Sequence, residues 1–153
     1  YSTLNRVCRL MESNILIQMP FFIRHLHKRI MKLHKDQKAR RFIKNTTFIV
    51  YRGQGLNHKV FETMRKQKGR LMCLNNFLST SKNRNICRHN YARKAANNLS
   101  KPNHIGILFE MIIDPDICKH SNTPFVEVTD EEGYFKENEA EILFSTHTIF
   151  HID

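Results

Sequence analysis

The chain has 153 residues, of which 41% are hydrophobic, and its formal net charge is +11. This length suits one hydrophobic core and is short for two, so we expect a single domain over residues 1–153. No apolar run has the length of a membrane-spanning helix, and the N-terminus lacks the residue order of a secretion signal. We therefore expect no membrane span.

The four cysteines are dispersed and form no dense disulfide framework. This pattern favours a reduced cytoplasmic protein, with a secreted or effector protein as the alternative because the chain begins at Tyr1 rather than Met. Cys87 with His89 and Cys118 with His120 repeat a Cys-x-His pattern. Because this spacing is tighter than structural zinc sites use, we expect no metal.

The charge is unevenly distributed along the chain. Residues 1–103 contain 23 Lys and Arg against 3 acidic residues, whereas residues 104–153 contain 2 against 11. Two interpretations stay open: the basic part binds an anionic partner, or the two parts attract each other within one domain. Nucleic acid is not the favoured partner, since no interleaved aromatic platform accompanies the positive run over residues 24–44.

The sequence pattern predicts that residues 1–45 form a basic, helical N-terminal segment, which we call the helical lead. A short helix is indicated by apolar residues at three- and four-residue spacing, namely Leu4, Val7, Leu10 and Met11. Pro20 suits the first turn of a second, longer helix. Its apolar stripe is predicted to contain Phe22, Ile23, Leu26, Ile30 and Leu33. Its outer face is predicted to carry Arg24, His27, Lys28, Lys32 and Lys35. Positive residues continue into a predicted connecting loop: Lys38, Arg40, Arg41 and Lys44.

Residues 46–153 predict a strand-rich core. The segment from Thr47 to Gly53 is β-branched and aromatic and is typical of a buried strand, with Arg52 on the same face as Val50. Burying a guanidinium unpaired is costly, so Arg52 needs an anionic partner, either a protein carboxylate or a ligand. Gly53 allows a ligand to approach the backbone, and Gly55 indicates a loop.

Further elements follow from periodicity and end signals. Asn57 is the predicted N-cap of a helix that stops near Gly69. A second helix is predicted over residues 83–99. Four strands are predicted over residues 70–74, 105–113, 124–129 and 148–152.

Two polar stretches interrupt the apolar strands. Phe77-Leu78 leads into three hydroxyls, Ser79, Thr80 and Ser81, which fit an ordinary strand end and helix cap, or else donors for a carboxylate or a ribose hydroxyl. Within Glu139-Ala140-Glu141-Ile142-Leu143-Phe144, strand alternation places both carboxylates on one face, roughly 7 Å apart. A solvated acidic face is the ordinary explanation, and two groups acting on one bound molecule is the functional one.

The order of three motifs carries more information than any one of them. Tyr51-Arg52-Gly53-Gln54, then Phe77-Leu78-Ser79-Thr80-Ser81, then Glu139-Ala140-Glu141-Ile142-Leu143-Phe144 together resemble the arginine-serine-glutamate class of mono-ADP-ribosyltransferases, in its eukaryotic, arginine-specific form. The resemblance covers residues 47–152. It implies an α+β split fold with two packed, mostly antiparallel sheets, an N-terminal helical lead over 1–45, a catalytic core over 46–153, and NAD in the cleft between the sheets.

The resemblance also implies roles for individual residues. Arg52 would meet the NAD phosphates, Gly53 would offer backbone groups to the nicotinamide carboxamide, and Gln54 and Thr80 would contact NAD. Ser79 would hold Glu141, whose carboxylate would bind a ribose hydroxyl and stabilise positive charge as nicotinamide leaves.

The acceptor side would be formed by Glu139, with Tyr134 and Phe135 in the preceding loop presenting the acceptor. A carboxylate at the Glu139 position accompanies arginine acceptors in this family. The overlapping frame Glu137-Asn138-Glu139 is disfavoured because Ile142-Leu143 continues the strand after Glu141.

The expected activity is transfer of ADP-ribose from NAD to arginine side chains of proteins, with release of nicotinamide and without a metal. Two alternatives stay open: an NAD glycohydrolase, in which water replaces the acceptor, and a basic, non-catalytic module that binds nucleic acid or an acidic partner. The presence of Arg52, Ser79 and Glu141 favours an enzyme. The sequence makes no prediction of oligomeric state.

Overall fold

The fold is taken from a computed structural model, which describes residues 20–39, 46–98, 100, 102–120, 123–128 and 140–153. The predicted α+β class is confirmed, with two antiparallel sheets and flanking helices. The predicted helix at Leu4–Met11, the basic residues from Arg40 to Lys44, and the loop with Tyr134, Phe135 and Glu139 lie outside the described residues.

The larger sheet has five strands in the order β4-β1-β3-β6-β5, and every neighbouring pair is antiparallel. The strands are β1 (Phe48–Asn57), β3 (Leu78–Ser81), β4 (His104–Ile113), β5 (Phe125–Glu127) and β6 (Glu141–Phe144). The smaller sheet pairs β2 (Leu71–Leu74) with β7 (Thr148–His151). β1 pairs with β4 along its whole length, whereas its register with β3 is a single pair, Tyr51 opposite Ser81.

The helices lie between and against these strands. The long helix α1 (Pro20–Ala39) begins at the proline that predicted its first turn. Helix α2 (His58–Arg65) has Asn57 as its N-cap, as predicted, and the Asn57 side chain accepts a hydrogen bond from the Lys59 amide. Helix α3 contains α-helical Arg84–Ile86, π-helical Cys87–Arg93 and α-helical Lys94–Ala96. A short helix α4 (Pro115–His120), which the sequence pattern did not predict, follows β4.

The larger sheet buries apolar side chains on both faces. On one face, strand residues pack with Leu74 and Phe150 of the smaller sheet, so the two sheets contact each other. The members of this first cluster are Val50, Leu78, Met111, Ile113, Phe125, Ile142 and Phe144. On the other face, Ile30 of α1 packs with Phe77, Val126 and Leu143.

The stripe predicted for α1 is correct at four of its positions. Ile23, Leu26, Ile30 and Leu33 contact the second cluster. The prediction for Phe22 is wrong, because 49% of this residue is exposed. His27, predicted to face outward, is half-buried, and its Nδ1 lies 2.6 Å from Oγ of the buried Ser145. The helix is therefore rotated enough to bring His27 rather than Phe22 against the sheet.

β1 continues further than the sequence predicts, and three glycines in β1 and β4 make room for α3 against it. The strand does not end at Gly53, and Gly55 lies within it rather than in a loop. A Cβ atom on Gly53 would lie 2.0 Å from the Cys87 carbonyl oxygen, and one on Gly106 would lie 2.1 Å from that of Ala92. Gly106 is paired with Gly55 across β1 and β4. The glycines form a flat surface on which the backbone of α3 rests.

Candidate active site

Ser79 and Glu141 lie on neighbouring strands and contact each other directly. The antiparallel register places Ser81 opposite Glu141 and Ser79 opposite Leu143, so these side chains share one face of the sheet. The Ser79 hydroxyl donates a hydrogen bond of 2.5 Å to Oε1 of Glu141. Both residues are partly accessible to solvent. The predicted contact between them is therefore present.

Thr80 points away from this pair. It is buried in the sheet, and its hydroxyl donates to the Ile142 carbonyl oxygen at 2.8 Å. The geometry offers no Thr80 hydroxyl to a ligand on the Ser79 face, and a contact through its backbone stays a prediction.

Arg52 is linked to the Ser79–Glu141 pair through the backbone of Ser79. Its Nη1 donates to the Ser79 carbonyl oxygen at 2.7 Å, and its Nε donates to Oε1 of Gln54 at 3.2 Å. These two hydrogen bonds help to hold the guanidinium in place. The hydrogen bonds connect Arg52, Ser79 and Glu141, which are the three residues that the sequence motifs select.

The strand geometry explains why the Ser79 carbonyl is available to Arg52. The Lys82 amide donates to the Ala140 carbonyl. In this antiparallel register, Thr80 and Leu78 also direct their backbone groups toward β6. The backbone groups of Ser79 therefore point toward β1. β1 and β3 are paired at Tyr51 and Ser81. The Arg52 side chain lies next to this pair and donates a hydrogen bond to the Ser79 carbonyl oxygen.

The backbone around Glu141 is held on both sides. The Glu141 carbonyl accepts from the Val128 amide at 2.9 Å, and the preceding Ala140 carbonyl accepts from the Lys82 amide at 3.1 Å. Ala140 has a φ of 40°, which is in the left-handed region that non-glycine residues rarely adopt. Strand β6 begins only at Glu141.

This conformation corrects one geometric expectation. Strand alternation does not continue through Ala140, so the roughly 7 Å separation expected for Glu139 and Glu141 has no basis in the strand. Glu139 itself lies outside the described residues, and its role stays a prediction.

Gly53 makes a close contact, but with the protein itself. The position that a Cβ atom would occupy is filled by the Cys87 carbonyl of α3. The need for glycine here is explained by packing on this side, and its backbone contact with nicotinamide stays a prediction.

Lys82 adjoins the site, and the motifs did not select it. Besides its amide bond to Ala140, its Nζ donates to Oε1 of Glu127 at 2.7 Å and lies 5.9 Å from the centre of the Phe48 ring. Lys82 thus connects β1, β3, β5 and the start of β6. Its place directly after Ser79-Thr80-Ser81 is the one sequence signal that could have identified it.

A cavity of about 970 Å³ lies elsewhere, between β4, the smaller sheet, α2 and α4. Its walls include Phe61, Ile107, Phe109, Ile117 and Phe150 and contain none of Arg52, Ser79 or Glu141. The cavity is therefore separate from the hydrogen-bonded group. Cys118 lines it, and burial followed by the charge of Asp114 raises the pKa of the Cys118 thiol.

Among the described residues, no group of three His, Cys, Asp or Glu side chains is arranged to hold a metal ion. No described helix combines the length and apolar character that a membrane crossing requires. Comparisons of the chain with models of protein families, with curated proteins and with solved structures found no match.

Proposed function

We propose that this chain is a mono-ADP-ribosyltransferase, which transfers ADP-ribose from NAD to arginine side chains of proteins and releases nicotinamide. The observation that carries the proposal is the hydrogen-bonded connection of Arg52, Ser79 and Glu141. These contacts join residues 27 and 62 positions apart in the chain. The three short motifs that suggested the family are thus close in space as well as ordered in sequence.

The fold supports the same proposal. A helical lead followed by a five-stranded and a two-stranded antiparallel sheet, in contact through a shared apolar cluster, is consistent with the split fold expected of ADP-ribosyltransferases. Ser79 and Glu141 lie on the face of the larger sheet that packs against α1 and not on the face toward the smaller sheet, which differs from the expected NAD position between the sheets. We propose that NAD binds beside the single β1–β3 pair, where Arg52 meets Ser79 and Glu141. The separate cavity is not the proposed NAD site, because the three motif residues do not line it.

In the proposed reaction, Glu141 acts on the ribose next to nicotinamide. The bond between ribose C1′ and the nicotinamide nitrogen breaks, its electron pair leaves with nicotinamide, and positive charge develops on the ribose. The Glu141 carboxylate stabilises that charge and accepts a hydrogen bond from a ribose hydroxyl. Since Oε1 is bonded by Ser79, the carboxylate is oriented before substrate arrives.

Arg52 binds the NAD pyrophosphate in this proposal. A guanidinium matches paired phosphate oxygens, and its charge offsets theirs. The contacts with Gln54 and the Ser79 carbonyl restrict the rotation of the Arg52 side chain. Part of the entropy cost of ordering this long side chain is therefore met in the folded protein rather than on binding.

The acceptor arginine would attack C1′ through a guanidinium nitrogen, and Glu139 would take the proton that this nitrogen loses. Tyr134 and Phe135 would present the acceptor. These three assignments depend on the resemblance, because the residues lie outside the described part of the chain.

The test is to incubate the purified protein with NAD labelled in its adenylate part, with and without the small arginine analogue agmatine. We expect nicotinamide release and label on agmatine. Glu141→Gln should abolish both, whereas Glu110→Gln, the same change at an exposed position on β4, should retain both.

The proposal is overturned if the wild-type protein neither cleaves nor transfers from NAD, or if Glu141→Gln reacts at the wild-type rate. Labelled free ADP-ribose with no label on any acceptor would instead indicate the alternative enzyme activity, that of an NAD glycohydrolase.

A further inference from the structure

Helix α1 is fixed to the larger sheet by polar as well as apolar contacts. The Gln37 side chain donates to the Glu127 carbonyl at 2.6 Å and accepts from the Glu127 amide at 3.0 Å, and His34 Nδ1 lies 2.7 Å from the Phe125 carbonyl. Ile30 is 1% exposed in the second cluster. These contacts also satisfy backbone hydrogen-bonding groups on the outer edge of β5. The direction of the opposite helix face is therefore fixed.

That opposite face carries a row of cations, which we call the basic row. Its members are Arg24, Lys28, Lys32 and Lys35, at spacings of four, four and three residues, and all four are exposed. At about 1.5 Å per residue the row extends for roughly 16 Å, with adjacent members about 4.5–6 Å apart along the axis. None of the four forms an ion pair with a residue that the structure describes.

Aromatic side chains accompany the basic row at its N-terminal end. Phe21 is 86% exposed and precedes Arg24 on the same face of the helix. Phe22 is also exposed at 49%, contrary to the sequence prediction. Phe21 and Phe22 precede the positive run rather than interleave with it, and they supply an aromatic contact at its N-terminal end that the sequence interpretation did not count.

We propose that the basic row binds the phosphate backbone of nucleic acid without reading base sequence. The row offers four cations to a strand with one phosphate per roughly 3.4 Å of axis, so each cation can neutralise a different phosphate. Phe21 provides a ring against which an unpaired base can stack. This inference goes beyond the proposed transferase activity and does not depend on it.

The composition of the face argues against the other anionic partners. Protein interfaces are depleted in Lys and rely on buried apolar anchors, whereas three of the four cations here are Lys. A helix that lies in a membrane surface inserts its apolar stripe into the lipid, but the stripe of α1 is packed against the sheet. Phosphate contacts require neither feature.

The proposal predicts a specific salt dependence. Neutralising four phosphates releases counterions, so the logarithm of the binding constant should fall with the logarithm of salt concentration with a slope of about −3.6 for duplex DNA or about −2.8 for a single strand. Removing two cations should reduce that slope by about half.

The test is fluorescence anisotropy with labelled single-stranded and duplex oligonucleotides over a series of salt concentrations. The variant is Lys28→Gln with Lys32→Gln. The matched control is Lys59→Gln with Lys66→Gln, which removes the same charge from exposed positions around α2. We expect the first pair to halve the slope and weaken binding at least tenfold, and the control pair to retain at least half of the wild-type affinity.

Equal losses for both pairs would show that net charge alone drives binding and would overturn the proposal. Lack of oligonucleotide binding by the wild-type protein would overturn it too, as would stronger binding to anionic lipid vesicles or to a polyglutamate peptide at the same salt. Circular dichroism melts on each variant separate a loss of binding from a loss of folding. NAD is not used in the assay, so failure of the transferase proposal leaves this result unaffected.

Discussion

The Ser79 hydroxyl donates to the Glu141 carboxylate at 2.5 Å across 62 residues of chain. A hydrogen bond from a hydroxyl to a carboxylate is charge-assisted and is stronger than a bond between two neutral groups. The contact follows from the β3–β6 register, which puts both side chains on one face. A change of register by one residue would move one of them to the opposite face and break the contact.

Replacing Ser79 by Ala should reduce nicotinamide release while leaving the fold intact. The Glu141 carboxylate loses the donor that orients it, so we expect the rate to fall by about 10- to 100-fold, less than in Glu141→Gln. The free energy of unfolding should fall by only about 1 kcal/mol. Rates are measured by nicotinamide release and stability by urea denaturation. Ser79→Thr retains a hydroxyl and should be less impaired, and a wild-type rate in Ser79→Ala would remove the orienting role.

Replacing Gln54 by Ala should weaken NAD binding more than catalysis. The Gln54 amide contacts Arg52 Nε rather than a reacting atom, so its loss affects ground state and transition state alike. A hydrogen bond of about 1 kcal/mol corresponds to a KM for NAD raised about fivefold, with kcat nearly unchanged. The matched control is Asn97→Ala, at an exposed position after α3. A reduced kcat with unchanged KM would instead place Gln54 near the ribose.

The elements that were predicted correctly are those whose own residues determine them. Pro20 begins α1, Asn57 caps α2, and the apolar stripe of α1 lies against the sheet at Ile23, Leu26 and Ile30. The ordered motifs likewise selected Arg52, Ser79 and Glu141, which the fold brings together. Local propensity and periodicity are sufficient for the two helix starts and the stripe. The three site residues were instead selected by the resemblance of the ordered motifs to a known family.

The errors arise where a distant segment decides the outcome. Gly53 indicated the end of a strand and Gly55 indicated a loop, yet the approach of α3 makes glycine necessary inside a strand. The left-handed Ala140 breaks a pattern that alternation alone would have extended to Glu139. Neither the tertiary contact nor the backbone angle is encoded in the spacing of nearby apolar residues.

Replacing Gly106 by Ala should destabilise the protein strongly. The added methyl group would lie 2.1 Å from the Ala92 carbonyl oxygen, so β4 and α3 must separate. Overpacking of this kind costs about 1–3 kcal/mol, and contact with backbone rather than a mobile side chain favours the upper end. Gly69→Asn is the control, because Gly69 has φ of 80° with open space around it and Asn tolerates that conformation. Urea denaturation that shows equal losses for the two variants would contradict this explanation.

Replacing Gln37 by Ala should loosen the outer edge of β5. Both hydrogen bonds to the Glu127 backbone are lost, and the residue is 8% exposed, so water does not fully replace them. We expect the free energy of unfolding to fall by about 2–6 kcal/mol, from about 1–3 kcal/mol for each of the two groups left unpaired. Faster hydrogen exchange of the Glu127 amide would locate the effect. Lys35→Ala, on the exposed face of the same helix, should change stability by less than about 0.5 kcal/mol.

Cys118 should react with iodoacetamide more slowly than the exposed Cys73 at pH 8. Burial and, secondarily, the Asp114 charge raise the pKa of the Cys118 thiol above its ordinary value of 9.0, so less of the reactive thiolate is present at a given pH. The raised pKa of Cys118 also makes the stability of the protein depend on pH. Above the ordinary pKa, the unfolded chain ionises more readily, so the contribution of Cys118 to stability is lost as pH rises through its folded value.

Asp114→Asn distinguishes the charge from burial at Cys118. Asn can keep the bond that the Asp114 side chain accepts from the Asp116 amide at the start of α4, while the repulsion of the thiolate is removed. The Cys118 pKa should fall, and its alkylation at pH 8, followed by mass spectrometry of each cysteine peptide, should become faster. Cys73 serves as the internal control and should react at an unchanged rate. If Cys118 in the wild-type protein reacts as fast as Cys73 across the pH range, the thiol is not protected by its surroundings and the raised pKa is wrong.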